Sequence, residues 1–178
     1  MVRFILGGAR SGKSALAEQL AVCSGKRVHY LATAQIWDEE MKDRVAHHKN
    51  SRPNHWQVTE EAIDIIPVIK KYAQVRGECL LLDCLTLWLT NILLLDDEDV
   101  LQAHQQQLVE YLQNDFRGEL ILVSNEVGQG IIPDNALARR FVDEAGRLHQ
   151  RIAKVSDQVV FVTAGIPQTL KGPLLNMG

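Results

Sequence analysis

Apolar residues gather in short continuous blocks along this chain, at residues 2–6, 27–32, 78–83, 119–124 and 158–163. Blocks of that length with little alternation are the pattern of strands buried on both faces of a parallel sheet. Between them the apolar spacing turns helical. Helices are expected from residue 15 to 21, around 60–72, at 85–95, at 100–116 and, longest of all, at about 134–154. Pro67 marks a start or kink in the second of these. In the longest, Leu137, Phe141, Leu148 and Ile152 share one face with Ala145 between them, while Arg139, Arg140 and Arg147 fall mostly elsewhere. Residues 38–48 are polar and read as a short exposed helix capped near Asp38, followed by a loop signal at 49–54. The alternation predicts an α/β fold over residues 1–178, one domain with a mostly parallel central sheet flanked by helices. Residues 167–178 carry no motif and are expected to form a flexible tail.

Composition narrows the class without naming a chemistry. At 178 residues, with 46% hydrophobic and 23% charged positions, the chain suits one globular core. A formal charge of −3 gives no general reason to expect nucleic acid. Cys23, Cys79 and Cys84 form no even set and match no zinc spacing, so a reduced, cytoplasmic setting is the simplest expectation. No charged-then-apolar leader is expected ahead of the first strand. Residues 79–95 are strongly apolar, yet Asp83, Thr86, Thr90 and Asn91 interrupt them, and a membrane span needs about 20 clean apolar residues. A buried strand running into a core helix is the better reading, and no membrane partner is implied.

The chemistry begins at Gly7-Gly8-Ala9-Arg10-Ser11-Gly12-Lys13-Ser14, which spells G-x-x-x-x-G-K-S between the first strand and the first helix. That context is what a phosphate-binding P-loop requires. Its backbone N–H groups and the helix dipole converge on phosphate oxygens. Lys13 reaches the β- and γ-phosphates, and the Ser14 hydroxyl ligates Mg²⁺. The predicted fold is therefore of the P-loop NTPase, RecA-like kind, binding a nucleoside triphosphate. Ligands of such sheets collect beyond the carboxyl ends of the strands. Asp83 stands there, as a Walker-B carboxylate for Mg²⁺ or simply as a cap on the next helix; Glu126 stands there too, with no role assigned. His47-His48-Lys49 is a second unusual cluster. A neutral imidazole can attack phosphorus directly, with Lys49 and Arg52 to neutralise charge. Metal ligation and plain surface histidines are the competing readings.

These segments resemble the bifunctional adenosylcobinamide kinase / adenosylcobinamide-phosphate guanylyltransferase family over nearly the whole chain. The resemblance is carried by the P-loop, by Tyr30-Leu31-Ala32-Thr33-Ala34-Gln35, by Arg44-Val45-Ala46-His47-His48-Lys49, by Leu82-Asp83-Cys84-Leu85-Thr86, and most specifically by Ser124-Asn125-Glu126-Val127-Gly128-Gln129-Gly130-Ile131-Ile132-Pro133. It implies two reactions. ATP or GTP phosphorylates the hydroxyl of adenosylcobinamide, and GTP then gives GMP to an enzyme histidine, the first of the pair, His47, with His48 as the alternative, and on to the corrinoid phosphate. It also implies nucleotide contacts from Ala32, Thr33 and Ala34, from Lys49, Asn50, Ser51 and Arg52, and from Glu60 and Asp83, together with Mg²⁺ and a homotrimer. Two rivals remain at this point: a single-activity P-loop kinase, and a non-enzymatic RecA-like nucleotide switch. GMP bound covalently to protein separates both from the family reading.

Overall fold

The structure is a computed structural model and describes residues 1–35, 53–72 and 75–175. In chain order its elements are β1 (Val2–Gly7), α1 (Lys13–Cys23), β2 (Arg27–Ala32), β3 (Gln57–Glu60), α2 (Ile65–Tyr72), β4 (Glu78–Asp83), α3 (Leu85–Leu93), α4 (Glu98–Asn114), β5 (Leu120–Asn125), α5 (Ala136–Val155), β6 (Gln158–Thr163) and β7 (Ile166–Lys171). The strands form one seven-stranded sheet in the order β3-β2-β4-β5-β1-β6-β7. All pairings are parallel except that of β7 with β6. Parallel pairing brings the carboxyl ends of β1 to β6 to one edge of the sheet. Gly7 stands beside Asn125, and Ala32 lies between Glu60 and Asp83.

The continuous apolar runs follow from burial on both faces. Phe4, Leu80, Leu82 and Leu122 point into a core shared with α2 to α5, while Ile5, Leu81, Ile121 and Val123 point into a second core under α1. Neighbouring residues of one strand thus serve opposite cores, so no polar position is left over. Two of the helices are started by side-chain caps. Asp97 accepts from the Val100 N–H at 3.1 Å to open α4, and Asn135 accepts from the Ala138 N–H at 3.0 Å to open α5. The apolar helix after β4 belongs to the core, as expected: Leu85, Trp88, Leu89, Ile92 and Leu93 are all buried.

Three expectations need correction. The helix expected around 60–72 begins only at Ile65, and residues 57–60 form the edge strand β3 instead. Pro67 sits in the first turn of α2, where a missing N–H breaks no helical bond. Residues 167–171 are not a flexible tail but most of β7. Ala164 and Gly165 both take positive φ, the geometry of a tight two-residue turn that returns the chain along β6. The new strand is tied further by Gln158 Nε2 donating to Pro173 O at 2.6 Å and Lys171 Nζ to Lys154 O at 2.8 Å. Lastly, Leu137 is exposed, so the buried apolar residues of α5 are Ala145, Leu148 and Ile152, with Phe141 packed at their margin. Among the described residues no helix is long and apolar enough to cross a membrane.

Candidate active site

The turn after β1 is shaped by close approach. A Cβ on Gly7 would lie 2.6 Å from the Val162 carbonyl oxygen, so only glycine lets β1 run against β6 at this point. Gly12 adopts φ 94°, and a Cβ there would meet Gly165 Cα at 3.1 Å. The β6–β7 turn therefore buttresses the loop, and the Gly165 N–H donates to Ser11 O at 2.8 Å. On the other side the Glu126 N–H donates to Gly7 O at 3.0 Å.

The loop ends at the amino end of α1, which carries no side-chain cap bond and no acid in its first turn. Its leading N–H groups are thus left for an anion, and the helix dipole favours one there. Ser11 Oγ is buried without a hydrogen-bond partner among the described residues. Lys13 is buried at 8% exposure and donates from Nζ to Gly8 O at 3.2 Å. Burial pulls its pKa down, opposed by the charge of Asp83 nearby. A buried ammonium, an unpaired hydroxyl and uncapped N–H groups at one spot form a cradle complementary to a polyphosphate.

Asp83 ends β4, separated from β1 by β5 alone. It does not cap the next helix, since the N-cap of α3 is Cys84 and no side-chain cap bond is made. The oxygen donors of Ser14 and Asp83 are of the hard kind that Mg²⁺ takes together with substrate phosphates. Cys84 is buried, and that burial pushes its thiol up to about 11.

The remaining expected contacts divide. Ala32, Ala34 and Glu60 lie at or just past the same carboxyl edge. Thr33 is a different case: it is fully buried, its hydroxyl donates to Cys84 O at 2.7 Å, and it accepts from Cys84 N at 3.0 Å. Its carbonyl accepts from Asn91 Nδ2 at 2.8 Å. The Thr33 side chain thus fastens the end of β2 to that of β4. His47, Lys49, Asn50, Ser51 and Arg52, as well as His48 and the helix expected at 38–48, lie outside the described residues.

Sequence reasoning missed a buried polar row behind the carboxyl ends of β4 and β5. Thr86 Oγ1 lies 3.1 Å from Ser124 Oγ, and Ser124 Oγ lies 2.8 Å from His149 Nε2. His149 Nδ1 is 3.7 Å from Glu126 Oε2. Nothing in the sequence links residue 149 to residue 126, since the two meet only when α5 packs on the sheet.

Comparison with known proteins adds the chemistry that geometry cannot supply. The family described as cobinamide kinase / cobinamide phosphate guanyltransferase matches residues 3–170. The chain belongs to that family. It is 52% identical over 168 residues to the bifunctional adenosylcobalamin biosynthesis protein CobP of Pseudomonas aeruginosa, covering 94% of this chain and 96% of that protein. It is 37% and 38% identical to the bifunctional adenosylcobalamin biosynthesis proteins CobU of Salmonella typhimurium and Escherichia coli, covering 96% of this chain and 100% of each relative. The α/β architecture with a mostly parallel sheet bears out the fold expectation.

Proposed function

We propose that this family member carries both transferase reactions on the single P-loop at residues 7–14. In the first, the cobinamide hydroxyl oxygen bonds to the γ-phosphorus of GTP or ATP while the bond from that phosphorus to the β-bridging oxygen breaks. Lys13 neutralises the charge that gathers on the leaving diphosphate, and the uncapped amino end of α1 holds the phosphates in line. In the second, a ring nitrogen of His47 bonds to the α-phosphorus of GTP and pyrophosphate leaves. A phosphate oxygen of the corrinoid then displaces the imidazole, which yields the GDP-linked corrinoid. His47 suits the task because a neutral imidazole is both nucleophile and leaving group near neutral pH.

Ser14 and Asp83 would hold a Mg²⁺ ion against the bound triphosphate. Bound there, the ion supplies charge neutralisation on the phosphate oxygens. In this reading Lys49, Asn50, Ser51 and Arg52 serve the nucleotide, as do Ala32, Thr33, Ala34 and Glu60, in a cytoplasmic homotrimer. The observation that carries this reading is the family match over residues 3–170, which spans P-loop, His47 and Asp83 alike. Incubating the protein with adenosylcobinamide, GTP and Mg²⁺ and weighing the corrinoid products tests it. A corrinoid phosphate followed by a GDP-linked corrinoid is expected; a corrinoid that stays unchanged overturns the reading.

A further inference from the structure

Glu126 follows β5, and β5 lies between the P-loop strand β1 and the Asp83 strand β4. The residue is pinned at the edge of the cradle by its own N–H on Gly7 O. Its carboxylate is held at one oxygen and faced by an imidazole at the other. Oε1 accepts from the Gly128 N–H at 2.6 Å, and Oε2 faces His149 Nδ1 at 3.7 Å. Its side chain keeps 21% exposure, so solvent or a substrate can reach it, whereas His149 is buried.

The direction of the buried row follows from its two ends. The Asn125 N–H, which can only donate, gives its proton to Thr86 Oγ1 at 2.7 Å. A carboxylate at neutral pH can only accept. The consistent assignment runs one way: Thr86 O–H to Ser124 Oγ, Ser124 O–H to His149 Nε2, and His149 Nδ1–H toward Glu126 Oε2. Burial lowers the His149 pKa, with the Glu126 charge opposing, so the ring is neutral at pH 7 and Glu126 keeps no cation beside it among the described residues. Ser124 itself is fully buried and cannot serve as a nucleophile, although Ser, His and Glu stand in a row.

We infer that Glu126 accepts the proton of the acceptor hydroxyl in the phosphorylation step, and that His149, backed by Ser124 and Thr86, is the positioning residue that aims it. The inference rests on the kinase reading above. The O–H proton passes to a Glu126 oxygen as the hydroxyl oxygen bonds to the γ-phosphorus. The electron pair of the broken bond stays on the leaving diphosphate, and Glu126 returns its proton to water after product release.

The full-length protein tests this through Glu126→Gln, His149→Asn and His149→Gln. In Glu126→Gln, kcat for corrinoid phosphorylation should fall roughly 10²- to 10⁴-fold with KM for GTP moved less than about threefold. GMP labelling of the protein consumes no acceptor hydroxyl and should fall far less. Asn places its amide near the position of Nδ1 and Gln near that of Nε2. His149→Asn should therefore keep much more kcat than His149→Gln, although both disturb the buried row. A Glu126→Gln kcat near wild type, equal losses in phosphorylation and labelling, or equal kcat in the two His149 variants would overturn the inference while wild type still makes corrinoid phosphate. A wild-type protein that makes none overturns the kinase reading and this inference together.

Discussion

Two adjacent glycines of the P-loop should respond very differently to the same small change. In Gly7→Ala the new methyl would sit 2.6 Å from the Val162 carbonyl oxygen, and also against Ser11 Oγ. The Ser11 side chain can rotate aside, but the β6 carbonyl is fixed by its pairing with β1. Strand β1 or the loop must shift, and overpacking of this kind costs about 1–3 kcal/mol. For a chain of this size each kcal/mol moves the melting temperature by roughly 2–4 °C, so a drop of about 2–12 °C is expected. A Cβ on Gly8 meets nothing within 4 Å, and that residue has no positive φ. Gly8→Ala should therefore change the nucleotide-free protein by no more than about 0.5 kcal/mol. Calorimetric melting of both variants without nucleotide decides the matter. If Gly7→Ala melts with wild type, or Gly8→Ala falls as far as Gly7→Ala, the packing argument for the loop is wrong.

Further outcomes follow from the same geometry. Lys13→Met removes the buried ammonium of the cradle and should weaken triphosphate binding by roughly 10- to 150-fold in a calorimetric titration, the value of one charged hydrogen bond. Because burial holds the Lys13 pKa below its ordinary 10.5, the unfolded chain binds more protons just below that value, and stability rises with pH in that window. The same substitution should flatten this alkaline rise in denaturant titrations. At Glu119, burial raises the carboxyl pKa, but hydrogen bonds and charge from Lys26 and Arg3 outweigh it and hold the group below 4.5. A depressed acid adds stability above that value and loses it as pH falls through the folded value. Glu119→Gln should cost about 1–2 kcal/mol at pH 7, discounted for the partial exposure of Lys26, and make acid unfolding less steep.

What could be read from the sequence was what local pattern determines. The apolar runs of β1, β2, β4, β5 and β6 needed no partner to be recognised, because each is apolar on both faces. The P-loop was equally plain, since its residues are contiguous. Strand β3 was not legible, because Gln57, Val58 and Glu60 are exposed on an edge and show no apolar run. β7 hid behind Pro167, a residue that an edge strand tolerates and a central strand does not. The contact of Gly165 with the P-loop joins residues far apart in sequence, and so does the row from Thr86 to Glu126. Only the packed sheet brings them together. The corrinoid came from family resemblance and not from a cavity or charge pattern among the described residues.

The proposed chemistry needs one triphosphate held by residues 7–14 and opened at its α-phosphorus by His47. Intact-protein mass spectrometry after incubation with GTP and Mg²⁺ tests this most directly, with wild type, Lys13→Met and His47→Asn run side by side. Wild type should gain one acid-labile GMP, and both variants should gain little or none. A wild-type protein that stays unmodified, or a His47→Asn protein that still carries acid-labile GMP, would contradict it.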